Sequence, residues 1–550
     1  MRDSNFAGAA GLLHLMVKSM VDYIIVGGGS AGCLLANRLS ENPKNSVCLL
    51  EAGATDRTFR IRNCNPINLI YLMGSKKYNW KYYARPEPRT GNRPFFWPRG
   101  RGIGGSSSIN AMIYTRGHPW DYNHWAELGN EGWDYQSVLP AFIKAERQSR
   151  GADAYHGDQG TMDISDTNFH FPASDAFIEA CQQAGFPQND DMNGAEQEGC
   201  GYFQVTQTQT GNRCNSGAAF LDDVMHRDNL TVVTNAHVSR VLFEGKTAIG
   251  VEYYPDGDRN RALTLKARKE LILSAGVINS PQLLKLSGVG PADELSKFGI
   301  QVVHDLPGVG ENLQDHPDIM LRCLDKSNSC LRAIPNKEFF RFVAAMFSRK
   351  KPFRFAPADC GGFIKSDPSL DIPDLQLQFA AIRMNSHGKG MSTSLRSGYV
   401  LHICHLRPKS RGRVLLQSAD PFAAPEIRAN YFAEDEELEA LVKGVKIGRE
   451  ILHQDALVPF HGMEEVPGEA VQSDEQIRQF LRDRIETVYH TAGTCKMGSD
   501  PMSVVDAQLR VHGVDNLRVI DSSIMPTITG SNIHAPTVMI AERGAQMIGI

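Results

Sequence analysis

The sequence predicts an α/β fold in which a domain built on a parallel sheet precedes a mixed α+β domain. Three observations carry this. A short apolar strand near the start runs into a glycine-rich turn, a helix and a second strand. Alternating strands and helices return between 228 and 303, and the apolar runs from about 317 to 480 read as antiparallel strands.

Taken in order, Val21 to Val26 is a continuous apolar run stopped by Gly27, as expected of a parallel strand buried on both faces. Ser30 to Leu39 reads as a helix and Val47 to Leu50 as the next strand, which completes a βαβ unit. From about 55 to 135 the chain is rich in Gly, Pro, Arg and aromatics. Long irregular stretches of this kind in a compact protein are functional loops. Leu375 to Phe379 and Tyr399 to Ile403 are strands of the second region. The tail reads as a strand at Leu517 to Ile520, a Ser/Thr/Pro/Gly loop, and a helix from Pro536 onward. The expected divisions are 21–316, 317–485, and a return of 486–550 to the first domain.

At 550 residues the chain can bury a large core in two joined domains. Its 58 basic and 62 acidic residues nearly cancel, which argues against a nucleic-acid binder or a polyanionic surface. The 11 cysteines are scattered, with no C-x-x-C pair, so a reducing, cytoplasmic compartment is expected. Ala9 to Val17 is mildly apolar but interrupted by His14 and followed by Lys18. It is too short to span a bilayer and lacks the pattern of a secretion signal. Two readings remain: a loose anchor giving peripheral contact at the cytoplasmic membrane, or an extension upstream of Met20. No internal run reaches transmembrane length.

Gly27-Gly-Gly29-Ser30-Ala31-Gly32 is a G-x-G-x-x-G between strand and helix. The first glycine makes the tight turn, the second admits a pyrophosphate to the backbone, and the third lets helix and strand pack closely. Glu51, 19 residues beyond Gly32 at the end of the second strand, is placed to bond a ribose hydroxyl. The fingerprint predicts a dinucleotide without choosing between NAD and FAD. A second run, Pro98-Arg-Gly-Arg-Gly-Ile-Gly-Gly105-Ser-Ser-Ser-Ile109-Asn110-Ala111-Met112-Ile-Tyr-Thr-Arg-Gly117, is dense in small residues. Such a run lets backbone amides lie against a flat ring or a phosphate.

This second run resembles the first signature of the glucose–methanol–choline (GMC) oxidoreductases, without a gap through Asn123. Ala275 to Gly290 resembles the second signature, with Val277 in place of the usual small residue. The resemblance covers essentially the whole chain from Val21. Gly308 to His316 and Arg407 to Arg413 look most like bacterial choline-dehydrogenase-like enzymes, especially membrane-associated primary-alcohol dehydrogenases. It implies a Rossmann-like FAD-binding domain, with loops 55–135 covering the flavin, and a mixed α+β substrate-binding domain. It also implies a cofactor site drawn from Gly27, Gly29, Ser30, Ala31, Gly32, Glu51, Gly105 and Thr537. Asn110, Ala111 and Met112 match the segment against the flavin ring. Val238 matches a backbone contact to the adenine end, and Asp521 matches the acid at the ribityl–pyrophosphate stretch.

His490, in Tyr489-His-Thr-Ala-Gly-Thr-Cys-Lys-Met-Gly498, and His534 match the family's flavin-facing residues. Choline-handling relatives commonly carry asparagine at the position of His534, whereas glucose- and aryl-alcohol-oxidising relatives carry histidine. Isoleucine at 109 replaces the histidine through which some choline oxidases attach FAD, so the cofactor is expected to be non-covalent.

The implied reaction is oxidation of an alcohol, a primary one in the nearest resemblance, to an aldehyde. A base must draw off the hydroxyl proton as the hydride leaves, and histidine, with an ordinary pKa of about 6.5, suits that role. His490 is the expected base, flavin N5 the hydride acceptor, and His534 the residue that holds the hydroxyl in line. The electron acceptor is expected to be a quinone or another carrier, with oxygen left open by the histidine pair. The rival readings are an oxygen-using alcohol oxidase, a flavin-containing lyase of the same fold, and an FAD-stabilised binding protein without turnover. His402, Cys404 and His405 are ligand-type residues, but strand alternation sets His405 opposite the other two, so no metal is expected. Phe353, Phe355, Phe363 and Phe379 point to an apolar substrate if they roof the pocket, and to core if they do not.

Overall fold

The structure, a computed structural model, describes residues 19–63, 66–331, 336–347, 353–384 and 396–549. The segment Ala9 to Val17 lies outside the described residues. Two seven-stranded sheets organise the molecule. In the first, Met20–Val26 lies between Val47–Leu50 and Leu263–Leu273, parallel to both. Leu230–Val233 extends the parallel side, and Leu517–Val519 adds a further parallel strand against Leu263–Leu273. Thr247–Pro255 and Ala236–Glu244 complete the sheet as an antiparallel hairpin. Val47 to Leu50 is buried at every position, as the unbroken apolar run requires.

The second sheet is antiparallel throughout, in the order His461–Val466, Pro317–Asp325, Gly398–His405, Leu375–Ala380, Cys360–Ile364, Gly199–Tyr202. Its last strand comes from before residue 316, so the division expected at 316/317 does not follow the sheet. The short run Gly199-Cys-Gly-Tyr202 has little apolar patterning of its own, and only its partner Cys360–Ile364 makes it a strand. Conversely, Glu426–Arg428 leaves the 317–485 region to pair with Tyr82–Ala84. The helix Asp435–Leu452 covers the second sheet, with Gly444 and Gly448 set against Leu375, Ile403, Leu321 and Leu401.

The terminal helix begins at His534, two residues before the expected start. Pro536 then falls in the first turn, where an amide hydrogen has no intrahelical partner, so the ring costs the helix nothing. No described helix is long and apolar enough to cross a membrane.

Candidate active site

A cavity of about 530 Å³ lies between the two sheets. One wall is main chain. Gly27 takes a left-handed φ of +102°, and a Cβ at Gly32 would sit 1.9 Å from the Gly27 carbonyl oxygen. Gly105 (φ +52°) lies so close to Gly29 that a Cβ there would meet its Cα at 2.8 Å. The two glycine runs therefore touch through backbone alone, which leaves amide hydrogens facing the cavity at the start of the helix Ser30–Leu39.

Glu51 binds these loops together. Its Oε2 accepts from Gly28 N at 2.8 Å, and its Oε1 from Gly53 N and Gly102 N at 2.7 and 2.9 Å. Asp521 does the same at the other end: Oδ2 accepts from Gly276 N (2.8 Å) and Ser280 Oγ (2.6 Å), and Oδ1 from Ser523 N (2.8 Å). It thereby caps the helix Gly276–Leu286, whose first residue belongs to the second signature.

Val238 reaches the cavity from the strand Ala236–Glu244, beside a bulge. Asn110, Ala111, Met112 and Thr537 line it as well. Met112 is held at φ +69°, and its N–H donates to Asn110 Oδ1 at 3.2 Å. Arg213 Nη1 donates to Asn110 O and Oδ1 at 2.9 and 2.7 Å, which locks this segment. Ile109 also lines the cavity, packed with Ile61, Leu72 and Tyr78.

The opposite wall is side chain. Gln314 and Ala492 exchange two backbone hydrogen bonds at 2.9 Å. An antiparallel bridge at that pair sets His316 opposite His490, and their Nδ1 atoms lie 3.1 Å apart. Asn532 meets the other ring nitrogen: its Nδ2 is 3.1 Å from His490 Nε2. The orientation of that amide follows from its oxygen, which accepts from Thr115 Oγ1 and Gln376 Nε2, both at 3.0 Å. His490 Nε2 is therefore an acceptor, and the ring hydrogen sits on Nδ1, donating to His316. Burial, with Arg99 nearby, pushes the His490 pKa down to about 3. Arg99 donates to the Tyr489 carbonyl at 2.6 Å and so holds the loop as well.

His534 lines the same cavity but does not meet His490. Its Nε2 lies 3.2 Å from Ser216 Oγ, beside the 107–112 segment, and burial lowers its pKa to about 4. Both histidines expected to face the flavin thus line the cavity, with Asn532 and His316 in hydrogen-bond reach of His490 and Ser216 in reach of His534. Asn532 lies in the loop ahead of the terminal helix, its N–H donating to Thr115 Oγ1 at 3.0 Å, and His534 is the first helical residue. His316 and Asn532 were not picked out in the sequence, although His316 closes the motif Gly308 to His316. The signal that finds His316 is the Gln314–Ala492 bridge, which is visible only in three dimensions.

Of the four phenylalanines, Phe355 lines the cavity. Phe363 and Phe379 are fully buried in the core, and Phe379 stacks on Phe177. Phe353 packs against Phe342 and Phe169 behind Phe355. His402 and Cys404 share one face of their strand, and His402 Nδ1 is 2.9 Å from Asp318 Oδ2.

The glycine wall, the helix start at Ser30 and the acids at either end fit a flavin dinucleotide. The comparisons agree with this reading. The GMC oxidoreductase family models match residues 21–318 and 408–541. The chain is 45% identical to an alcohol dehydrogenase (acceptor) of Pseudomonas putida, covering 96% of both chains. It is 44% identical to the mitochondrial choline dehydrogenase of Mus musculus, over 96% of this chain and 90% of that one. Among solved structures, pyridoxine 4-oxidase from Mesorbium loti superposes with a TM-score of 0.86 at 32% identity, covering 96% of this chain and 98% of that one. With both halves of the molecule matched, the chain belongs to the GMC oxidoreductase family and is an FAD-dependent enzyme.

Proposed function

We propose that the protein oxidises an uncharged primary alcohol to an aldehyde, with His490 as the base and Asn532 as its partner. The observation that carries this is the acceptor state of His490 Nε2, set by Asn532 on one side and His316 on the other. His490 takes the hydroxyl proton at Nε2. Asn532 Nδ2 has a second hydrogen to offer the same oxygen, so charge developing there is met by a donor already in place. His316, buried and held neutral by its surroundings, keeps the ring turned and receives the Nδ1 hydrogen bond. Bound FAD supplies the hydride acceptor. Gly27, Gly29, Gly105, Glu51 and Asp521 would hold it, Gly32 lets the helix pack beneath the Gly27 turn, and Ile109 offers no atom for a covalent link.

An uncharged substrate follows from the lining. Among the described residues the only carboxylates on the cavity are Glu51 and Asp521, both already engaged at the glycine end. Around Phe355 the wall is apolar: Leu331, Pro357, Ala358, Ile382 and Met384. A quaternary ammonium would find no counter-charge there.

Anaerobic mixing with aliphatic, aromatic and amino alcohols tests the reading. Bleaching of the oxidised flavin band is expected with the uncharged alcohols and not with choline. No bleaching by any alcohol would favour the lyase or the binding protein. Acid precipitation should leave the flavin in solution, and a yellow washed pellet would refute the non-covalent assignment.

A further inference from the structure

Two polar side chains of the second sheet line the cavity and take no part in the proton transfer. They come from the neighbouring antiparallel strands Leu375–Ala380 and Gly398–His405, of which only Gln378, Ala380 and His402 reach the cavity among the described residues. Gln378 and His402 stand directly opposite each other in that ladder, and each is only 6% exposed. Their chain neighbours Leu377, Phe379, Leu401 and Ile403 alternate to the other face and are fully buried in the core. A buried polar side chain on a wall costs free energy unless it is hydrogen-bonded.

The hydrogen bonds fix what this pair presents. Asn532 Oδ1 accepts from Thr115 Oγ1, which itself accepts the Asn532 N–H, so the orientation of this amide is set independently of the sheet. Gln376 Nε2 donates to the same Oδ1 at 3.0 Å, and Gln376 Oε1 accepts from Gln378 Nε2 at 3.2 Å. The three amides therefore run in one direction away from His490. The last of them leaves Gln378 Oε1 as an acceptor on the cavity wall, with the second Nε2 hydrogen as a donor beside it. His402 is held from behind, its Nδ1 2.9 Å from Oδ2 of the fully buried Asp318.

Spacing follows from the pleat. Gln376 lies against Asn532, and so beside the place where the reacting hydroxyl meets His490. Gln378 is the next residue on the same face, about 7 Å along the strand. An extended chain advances about 3.8 Å in three bonds, so two oxygens held at these places are about five or six bonds apart. A hydroxyl both donates and accepts, and so satisfies both functions of Gln378, whereas an ether oxygen only accepts.

We infer that Gln378, oriented by Gln376 and flanked by His402, is a subsite for a second hydroxyl on the substrate. The class of alcohol it selects is the α,ω-diol of four or five carbons. This rests on the proposed alcohol oxidation and names the substrate within it.

The test is anaerobic flavin reduction of the holoenzyme by these diols, by the mono-alcohols of equal length and by the monomethyl ethers of the diols. After allowance for the diol's two reactive ends, its second-order rate constant should exceed that of the mono-alcohol roughly tenfold or more, because the mono-alcohol leaves a buried acceptor unpaired. The monomethyl ether should fall close to the mono-alcohol. Gln378→Leu should bring the ratio of diol to mono-alcohol to about one, whereas His490→Ala, which slows every alcohol, should leave that ratio intact. A ratio near one in the unmodified enzyme, an ether as good as the diol, or a full ratio in Gln378→Leu would overturn the subsite and leave alcohol oxidation standing. Bleaching by none of these alcohols would instead remove the alcohol-oxidation reading, and the subsite with it. If Gln378→Leu does not retain flavin, the comparison of diol, mono-alcohol and ether on the unmodified enzyme decides alone.

Discussion

The two walls of the cavity are built from different material. At the carboxyl end of the first sheet the wall is backbone, shaped by Gly27, Gly32 and Gly105 and tied by Glu51. Facing it, the wall below the second sheet is a set of side chains, His490, His316 and Asn532, each oriented by the next. A backbone wall tolerates almost no change in shape, because any Cβ meets a carbonyl or another main chain. A side-chain wall keeps its shape when one member is truncated but loses a proton acceptor or donor. Damage to the first should therefore be read in cofactor retention, and damage to the second in rate with the cofactor still bound.

The largest effect is expected at His490. His490→Ala should retain FAD and slow flavin reduction by roughly 10²–10⁴-fold, the usual range for a lost general base, as measured by anaerobic stopped flow. A rate within a few-fold of the unmodified enzyme would remove the base from this wall. Asn532→Ala should slow reduction by about 10²-fold, as loss of a preorganised donor does, and should also free the ring of His490 to change tautomer. His534→Ala should cost much less, because its ring faces Ser216. Equal losses at 532 and 534 would restore the two-histidine arrangement and break the contrast drawn between them.

On the backbone wall, Glu51→Ala should weaken FAD binding by about 1.5–3 kcal/mol, the range for hydrogen bonds to a charged group, with reduction of the remaining bound flavin unchanged. A slowed reduction in fully loaded enzyme would mean that the walls are coupled. The smallest effect concerns pH. With its pKa at about 3, His490 is neutral throughout the working range, so the reduction rate should be flat from about pH 5 to 9 instead of rising through an ionisation near 6.5. Stability should not be flat. His490 and His405, lowered to about 3 and about 4, stay neutral when folded but take up a proton near 6.5 when unfolded. The unfolded state then binds more protons, so stability falls as pH drops below about 6.5, by up to about 1.4 kcal/mol per unit for each histidine. Urea melts between pH 7.5 and 5 measure this, and a constant midpoint would show that these rings are charged in the native state.

What the sequence determined by itself is the backbone wall. The strand Met20–Val26, the turn at Gly27 and the helix from Ser30 are local, and glycine spacing alone carries the close approach of backbone to backbone. The same holds for the second glycine run and for Glu51, since each function depends on residues near in sequence or on main-chain geometry. Tertiary structure decided the other wall. His316 and His490 are 174 residues apart and meet because Gln314 and Ala492 form a bridge. That Asn532 comes within reach of His490 turned on the path of the loop ahead of the terminal helix, where Thr115 and Gln376 hold its amide oxygen. Likewise Gly199–Tyr202 became a strand only through its partner. Contacts of this kind depend on pairings between distant segments, and a single sequence carries no local signal for them.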